Sequence, residues 1–516
     1  MSVDTQTDPW HRRVFVNTVI NGTSMLLALV VAFFLTPFLV HHLGTSAYGL
    51  WGLLGAFSVT AGYLSLADIG LQQTAVKLIA EHEARDEWDE IGRVAKATIY
   101  LFLAIGIPAG LATGLFAVFG LDAVFNIPAD LADSARDAFL LFSVQIPIEL
   151  VALPFAGVLE GRQRYGLLRS VETFRNGVWA AIAVVALLRG HGLVALAAGN
   201  LVAAVIALVL TAVAAQRSLP RRTLATARPT RHTFRRIFGF SVNLFVARLT
   251  GVLYRQMDRV IIAVALTTVA LGEYEVASKV ELLAALGLTF VASAVMPAAS
   301  RLSAMEGGRP ALSTLFLEGT KYTLVVVIPV TVSLMIWADA FIRTWVGAGF
   351  EPSVGYSRLL LVWVLFTATN TVGLTMIIGM GYARDVMVFG LVSTLCNLVI
   401  SIALISYIGV YGVIIGTIVG YGIVWYPYMR LFLRALELDW SAVWRRIIAP
   451  VLVVVVPWTL LVLGAHAVVT PHGLVGTMVV LAVSVGTAWI ALFAFALRVD
   501  ERRVLLSHAR SIFGAA

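Results

Sequence analysis

Long apolar runs separated by short polar punctuation make up nearly the whole chain. They fall near residues 14–40, 47–70, 97–120, 136–159, 172–189, 193–215, 237–265, 273–298, 320–340, 356–379, 386–407, 411–432, 447–469 and 474–498. About 20 apolar helical residues cross the hydrocarbon core of a bilayer. The pattern therefore predicts an all-α polytopic membrane protein with about 14 transmembrane helices. Two connections, RGHG at 189–192 and IGVYG at 408–412, are so short that their flanking helices must be antiparallel neighbours. Helices 5 and 6 are expected to form one hairpin, and helices 11 and 12 another.

Composition supports the same class. Hydrophobic residues make up 59% and charged residues 13%, against about 25% charged in soluble domains, and the mean hydropathy is +0.91. The 516 residues can build a large helical bundle. Cys396, the single cysteine, lies in an apolar run. It can form neither an internal disulfide nor a thiolate metal cluster, so neither is expected to carry the function. No cleavable signal is expected, because residues 1–10 are polar with two Asp and the apolar run from Val14 is too long for a signal core.

The formal charge of +8 is explained by membrane topology, without nucleic acid. With the N-terminus inside, the outer loops hold only Arg136, Arg189, Arg343 and Arg358, and the spans hold Arg175, Arg248, Arg255, Arg259 and Lys279. Every other Lys and Arg falls on the inner side, so the positive-inside rule places both termini in the cytoplasm. The segment 216–236 carries seven Arg and no acid. It reads either as a topological anchor and linker or as a contact for anionic lipid headgroups.

That segment also separates two similar stretches. Arg12-Arg13 before Phe15 returns as Arg235-Arg236 before Phe238, and LGTSAYGLWG at 43–52 resembles LGEYEVAS at 271–278. Gly161 and Arg164 match Gly381 and Arg384, and GLVALAAGNLVA from Gly192 matches GVYGVIIGTIVG from Gly409. Four matches in order suggest a duplicated six-helix unit. Six is even, so the repeats are parallel, a design that places substrate between two halves that alternate access. The expected organisation is an N-terminal six-helix lobe (1–215), a basic cytoplasmic linker (216–236), a C-terminal six-helix lobe (237–434), and two additional helices with a cytoplasmic tail (435–516). The last two helices are either packing scaffold or the wall of a groove for a lipid tail.

Ionisable residues cost about 2.5–3.5 kcal/mol each at the bilayer centre, which makes those inside spans informative. Arg248, Arg255 and Arg259 are spaced by 7 and 4, so at about 100° per residue they form one stripe on helix 7, starting roughly 16 Å deep. Asp258, about 80° away, can neutralise only part of it. Either Asp258, Glu275 and Glu281 pair these cations internally, or the stripe faces a wet cavity, with Lys279 on the same wall. Arg binds phosphate oxygens bidentately, so a diphosphate is a natural ligand. In the first half, Asp68 is expected to cap a helix or pair with Lys77. Glu149, between Pro147 and Pro154, is expected to touch substrate or pair with Arg175.

No HExxH, Walker loop or nucleophile elbow occurs, and the longest outer connections are about fifteen residues. His41-His42 diverge by about 100° on a helix, a poor metal pair. No catalytic residue, metal or cofactor is expected.

Three segments, FLTPFLVHHLGTSAYGLWGL from Phe34, LSLADIGLQQTAVKLIAE at 64–81 and YRQMDRVIIAVALTTVALGEYEVASKV at 254–280, resemble the Wzx-type polysaccharide flippases. These belong to the multidrug/oligosaccharidyl-lipid/polysaccharide exporter superfamily, which also holds lipid II flippases. The resemblance spans nearly the whole chain, and its motifs do not specify a sugar. It implies two six-helix lobes plus two helices in the cell inner membrane. It also implies an alternating-access flippase that moves a polyprenyl-diphosphate-linked oligosaccharide from the cytoplasmic to the outer leaflet for surface polysaccharide synthesis. Membrane lipids and polysaccharide polymerase or export components would be its partners. By that analogy Arg248, Arg255, Arg259 and Lys279 bind the diphosphate, while Asn17, Asn21, Glu149, Asn243 and Asn370 line the sugar path. Asp68, Asp258 and Arg175 would be structural or gating residues. Residues 14–40 contain neither the arginines of lipid II flippases nor the acid of cation-coupled multidrug extruders. A membrane-embedded glycan polymerase or ligase, and a multidrug/cation antiporter, stand as the alternatives.

Overall fold

The structure is a computed structural model that describes residues 9–220 and 223–503, with side chains outside 9–26, 239–248, 250, 290, 293 and 294. No strand occurs among the described residues. The main helices are α1 (Pro9–Ala56), α2 (Leu71–Glu83), α3 (Trp88–Phe119), α4 (Ala132–Gly161), α5 (Tyr165–Leu188), α6 (Leu193–Ser218), α7 (Arg231–Ala265) and α8 (Thr268–Ser303). They continue with α9 (Arg309–Ile336), α10 (Glu351–Gly379), α11 (Ala383–Ile408), α12 (Val410–Leu436), α13 (Trp440–Val468) and α14 (Gly473–Ala496). Eleven helices among the described residues are long and apolar enough to cross a membrane. The chain is thus a polytopic helical membrane protein. At 35 and 36 residues, α7 and α8 have the length to span but carry charges along it.

The window 47–70 is not one helix. The 48-residue α1 contains non-helical backbone at Gly44 and ends at Ala56; a short 3-10 helix covers Tyr63–Asp68 before α2 begins at Leu71. A break among spanning helices leaves backbone groups that need other partners. Ser58 Oγ accepts the N–H groups of Ala61 (3.3 Å) and Gly62 (3.0 Å), and the Gln256 side-chain amide donates to the Ala61 carbonyl (2.9 Å).

By packing, the chain divides into Met1–Gly272 and Glu273–Ala516. The division falls inside α8, well past the basic segment 216–236. Within the first unit, α3 packs on α4, α4 on α6, α5 on α6 and α1, and α2 on α3 and α4. Among the described side chains, α7 is fastened to the first unit near its start, past its middle and at its end. Arg236 pairs with Glu81 (3.1 Å), Gln256 reaches Ala61, and the Asn126 side chain donates to the carbonyls of Val264 (2.9 Å) and Leu266 (2.8 Å).

The start of α8 crosses the 43–52 segment at backbone contact. A Cβ on Gly49 would lie 2.0 Å from the Thr268 carbonyl oxygen, and one on Gly272 would lie 2.2 Å from that of Thr45. The Ser46 and Thr268 hydroxyls share a hydrogen bond of 2.5 Å.

In the second unit α11 and α12 form a close hairpin turning at Gly409. Gly416 and Gly420 admit the α11 backbone, since a Cβ on either would meet atoms of Ser401 or Asn397 within 3 Å. Asn397 Nδ2 donates to Thr417 Oγ1 (3.1 Å), and Ser401 Oγ donates to Asn397 Oδ1 (2.7 Å). α9 packs on α10, and both α13 and α14 pack on α9. Thr344, on the short helix Ala338–Trp345, donates to Thr477 of α14 (3.1 Å).

Candidate substrate-binding site

Six of the expected site residues, Arg255, Asp258, Arg259, Glu149, Arg175 and Asp68, lie in the first unit. On α7, Arg255 is exposed while Gln256 and Asp258 are buried to 6% and 5% exposure. Arg259 donates to Gln256 Oε1 (2.8 Å) and toward the Arg255 carbonyl (3.4 Å). The same glutamine donates to Ala61, so one side chain connects the broken second span to Arg259. Tyr63 of the 3-10 helix lies within electrostatic reach of both Asp258 and Arg259. This part of α7 therefore has a packed side held by polar bonds and presents Arg255 outward. Arg248, Asn17, Asn21 and Asn243 lie outside the residues whose side chains are described.

Glu149, on α4, is buried, receives a hydrogen bond from Arg175 of α5, and accepts another from Gln145 one turn earlier (3.0 Å). Beside this pair, Trp51 and Trp179 stack at 5.6 Å with an interplanar angle of 7°. A cavity of about 50 Å3 opens among Trp51, Ser58, Gln145 and Asn200. A larger concave surface of about 660 Å3 runs along α5 past Arg169, Ser170, Thr173 and Gly177. The first unit thus offers a mainly apolar wall among its spanning helices that carries a few hydroxyl and amide groups, a tryptophan pair and an internally neutralised carboxylate.

Asp68 is 1% exposed, and its Oδ1 accepts the Gln72 N–H at the start of α2 (2.8 Å). Lys77 pairs with Glu81 (3.8 Å).

Lys279 and Asn370 belong to the second unit. Lys279 pairs with Glu275 one turn away on α8 (3.9 Å) and keeps 35% of its side chain exposed. Asn370 is fully buried, with Tyr421 as a polar neighbour. The second unit also buries Lys321 of α9 against Glu501, just past α14, at 2.7 Å. No cluster of three or more His, Cys, Asp or Glu suited to a metal ion occurs among the described residues.

Sequence reasoning missed Gln256, Asn126, Gln145, the tryptophan pair and Lys321–Glu501. Gln145 precedes Glu149 by four positions on a helix, a spacing that places both on one face, and that signal was readable. Lys321 stands at the edge of an apolar window, and Asn126 in a loop; neither carries a local signal for its partner.

Solved structures similar to this chain include a flippase and multidrug transporters. Lipid II flippase MurJ, in an inward closed conformation, superposes with a TM-score of 0.67 at 14% identity, covering 93% of this chain and 98% of that one. An inward-facing multidrug resistance MATE family transporter of the MOP superfamily gives 0.64 at 17% identity, covering 80% and 95%. In sequence, an inferred O-antigen transporter of Shigella flexneri is 22% identical over 370 residues, 71% of this chain and 85% of the relative. The family model for polysaccharide biosynthesis proteins matches residues 11–303. The chain belongs to that polysaccharide biosynthesis protein family.

Proposed function

We propose that this protein is a flippase for a lipid-linked oligosaccharide, working without a change of covalent bonds. The lipid carrier is a polyprenyl diphosphate, and movement runs from the cytoplasmic to the outer leaflet of the inner membrane. Both termini are cytoplasmic, as the bias of Lys and Arg implies. The observation that carries this reading is Arg255, exposed on a spanning-length helix whose neighbouring Gln256 and Asp258 are packed. An exposed guanidinium within a bilayer needs water or an anion, and a diphosphate supplies two charged groups for bidentate contacts. The similarity to an inferred O-antigen transporter and to a lipid II flippase supports the cargo class. In the first unit, Thr173, Ser170 and Asn200 provide hydroxyl and amide groups of the kind a sugar chain requires. Arg248 extends the diphosphate site, and Asn17, Asn21 and Asn243 extend the sugar path in this reading.

The test is the Arg255→Gln/Arg259→Gln double variant in proteoliposomes loaded with a fluorescent polyprenyl-diphosphate oligosaccharide. Loss of transfer between leaflets, with normal insertion and chemically unchanged lipid, is expected. Transfer at the wild-type rate would overturn the site. A covalently altered lipid in the wild-type reaction would replace the flippase reading with an enzymatic one.

A further inference from the structure

The segment linking α6 to α7 does more than cross between helices. Its short helix Thr223–Thr226 lies on α3, where a Cβ on Gly92 would come within 2.5 Å of the Thr223 carbonyl oxygen. One turn further along α3, the segment stands away and leaves a cavity of about 490 Å3 between itself and the spanning helices. Lys96, Ile99 and Tyr100 of α3 and Phe155 of α4 form one side; Gln216, Leu219 and Leu224 form the other.

The lining is amphipathic in an ordered way. Ile99, Phe155, Leu219 and Leu224 are apolar, whereas Lys96, Tyr100 and Gln216 are polar. Lys96 Nζ reaches toward the Ala225 carbonyl (3.5 Å), and Tyr100 is 47% exposed. A Lys and a Tyr one turn apart, at the point where α3 enters its apolar run, mark the level of lipid headgroups. The connecting segment adds positive charge, with no acid from 216 to 236 and with Arg217 and Arg228 exposed.

We propose that this cavity binds one anionic phospholipid of the cytoplasmic leaflet, with its phosphate at Lys96 and Tyr100 and an acyl chain along Ile99, Phe155 and Leu219. The volume suits a headgroup and the first part of one chain, the remaining tail lying in the bilayer. This site is separate from the transport reading, because none of its residues lies on α7 or on the Glu149–Arg175 wall.

Full-length protein is purified in a neutral detergent, titrated with phosphatidylglycerol or phosphatidylcholine, and examined by native mass spectrometry. One retained phosphatidylglycerol and little phosphatidylcholine are expected. Lys96→Gln should lower retention about fivefold, from the roughly 1 kcal/mol that a cationic side chain contributes near anionic lipid. Ala225→Trp, which fills the cavity while keeping the lysine, should also displace the lipid and decides the matter if the first variant does not fold. Arg384→Gln, at the start of α11, should retain the lipid as wild type does. Equal retention of the two lipids, or wild-type retention by the Ala225→Trp variant, overturns the proposal. Displacement of phosphatidylglycerol by millimolar inorganic phosphate also overturns it, because the site would then be one for free anions.

Discussion

The Gln256 side-chain amide donates to the carbonyl oxygen of Ala61, so a polar residue of α7 completes the backbone of the interrupted second span. It also accepts from Arg259. Replacing Gln256 by Leu therefore removes two bonds and leaves a carbonyl and a guanidinium to find other partners. A loss of about 1–3 kcal/mol is expected, visible as a lower thermal midpoint of the detergent-solubilised protein, with faster hydrogen exchange around residues 58–62.

Asn126 holds the other end of α7 through the carbonyls of Val264 and Leu266. Asn126→Ala should free both acceptors at a cost of about 1 kcal/mol. Hydrogen exchange confined to the last turn of α7 checks this, and unchanged protection there would show the contact to be dispensable.

The Glu149–Arg175 pair is buried on the carboxylate side, with 8% of that side chain exposed. Removing one partner strands the other, at a cost of about 3 kcal/mol or more. Glu149→Gln alone is expected to destabilise the first unit, and Glu149→Leu/Arg175→Met to recover most of the loss. Thermal unfolding followed by the fluorescence of nearby Trp51 and Trp179 reads both.

Gly49 and Gly272 mark the crossing of α1 and α8. Because a Cβ at either would collide with a carbonyl oxygen, the backbone must move, and Gly49→Ala or Gly272→Ala should cost about 1–3 kcal/mol. The yield of folded protein after extraction is the measurement, with Gly486→Ala, whose Cβ meets open space, as the control.

Glu501 lies beyond the last span. Burial raises its pKa, but the hydrogen bonds from Lys321 and the Arg498 backbone outweigh this and leave it below the ordinary 4.5. A carboxylate with a lowered folded-state pKa adds stability that is complete above 4.5 and is lost as pH falls through the folded value. Acid should therefore release the segment after α14, detected as protease sensitivity around residues 497–503. Glu501→Gln should be sensitive at every pH.

Most of the spans were legible because each is a long apolar run, a signal that survives without coordinates. The break in the second span was not legible: Ser58, Thr60 and Gly62 interrupt its apolar pattern too weakly to signal it. What makes the break tolerable is Gln256, 195 residues away. The packing of α7 on α1, α2 and α3 was hidden for the same reason, since Glu81–Arg236 and Asn126–Val264 join distant segments. Repeats report likeness between stretches of sequence, and contacts report which stretches touch. The matches between 43–52 and 271–278 thus predicted equivalence, whereas the structure adds that the start of α8 lies directly across the first of them.

The hairpin of α11 and α12, with its glycine stripe and the Asn397–Thr417 and Ser401–Asn397 bonds, has too little space between its backbones for either helix to slide past the other. Spin labels placed on its two outer faces should hold a constant separation through a transport cycle. That makes this pair a built-in ruler against which displacements elsewhere in the second unit can be measured.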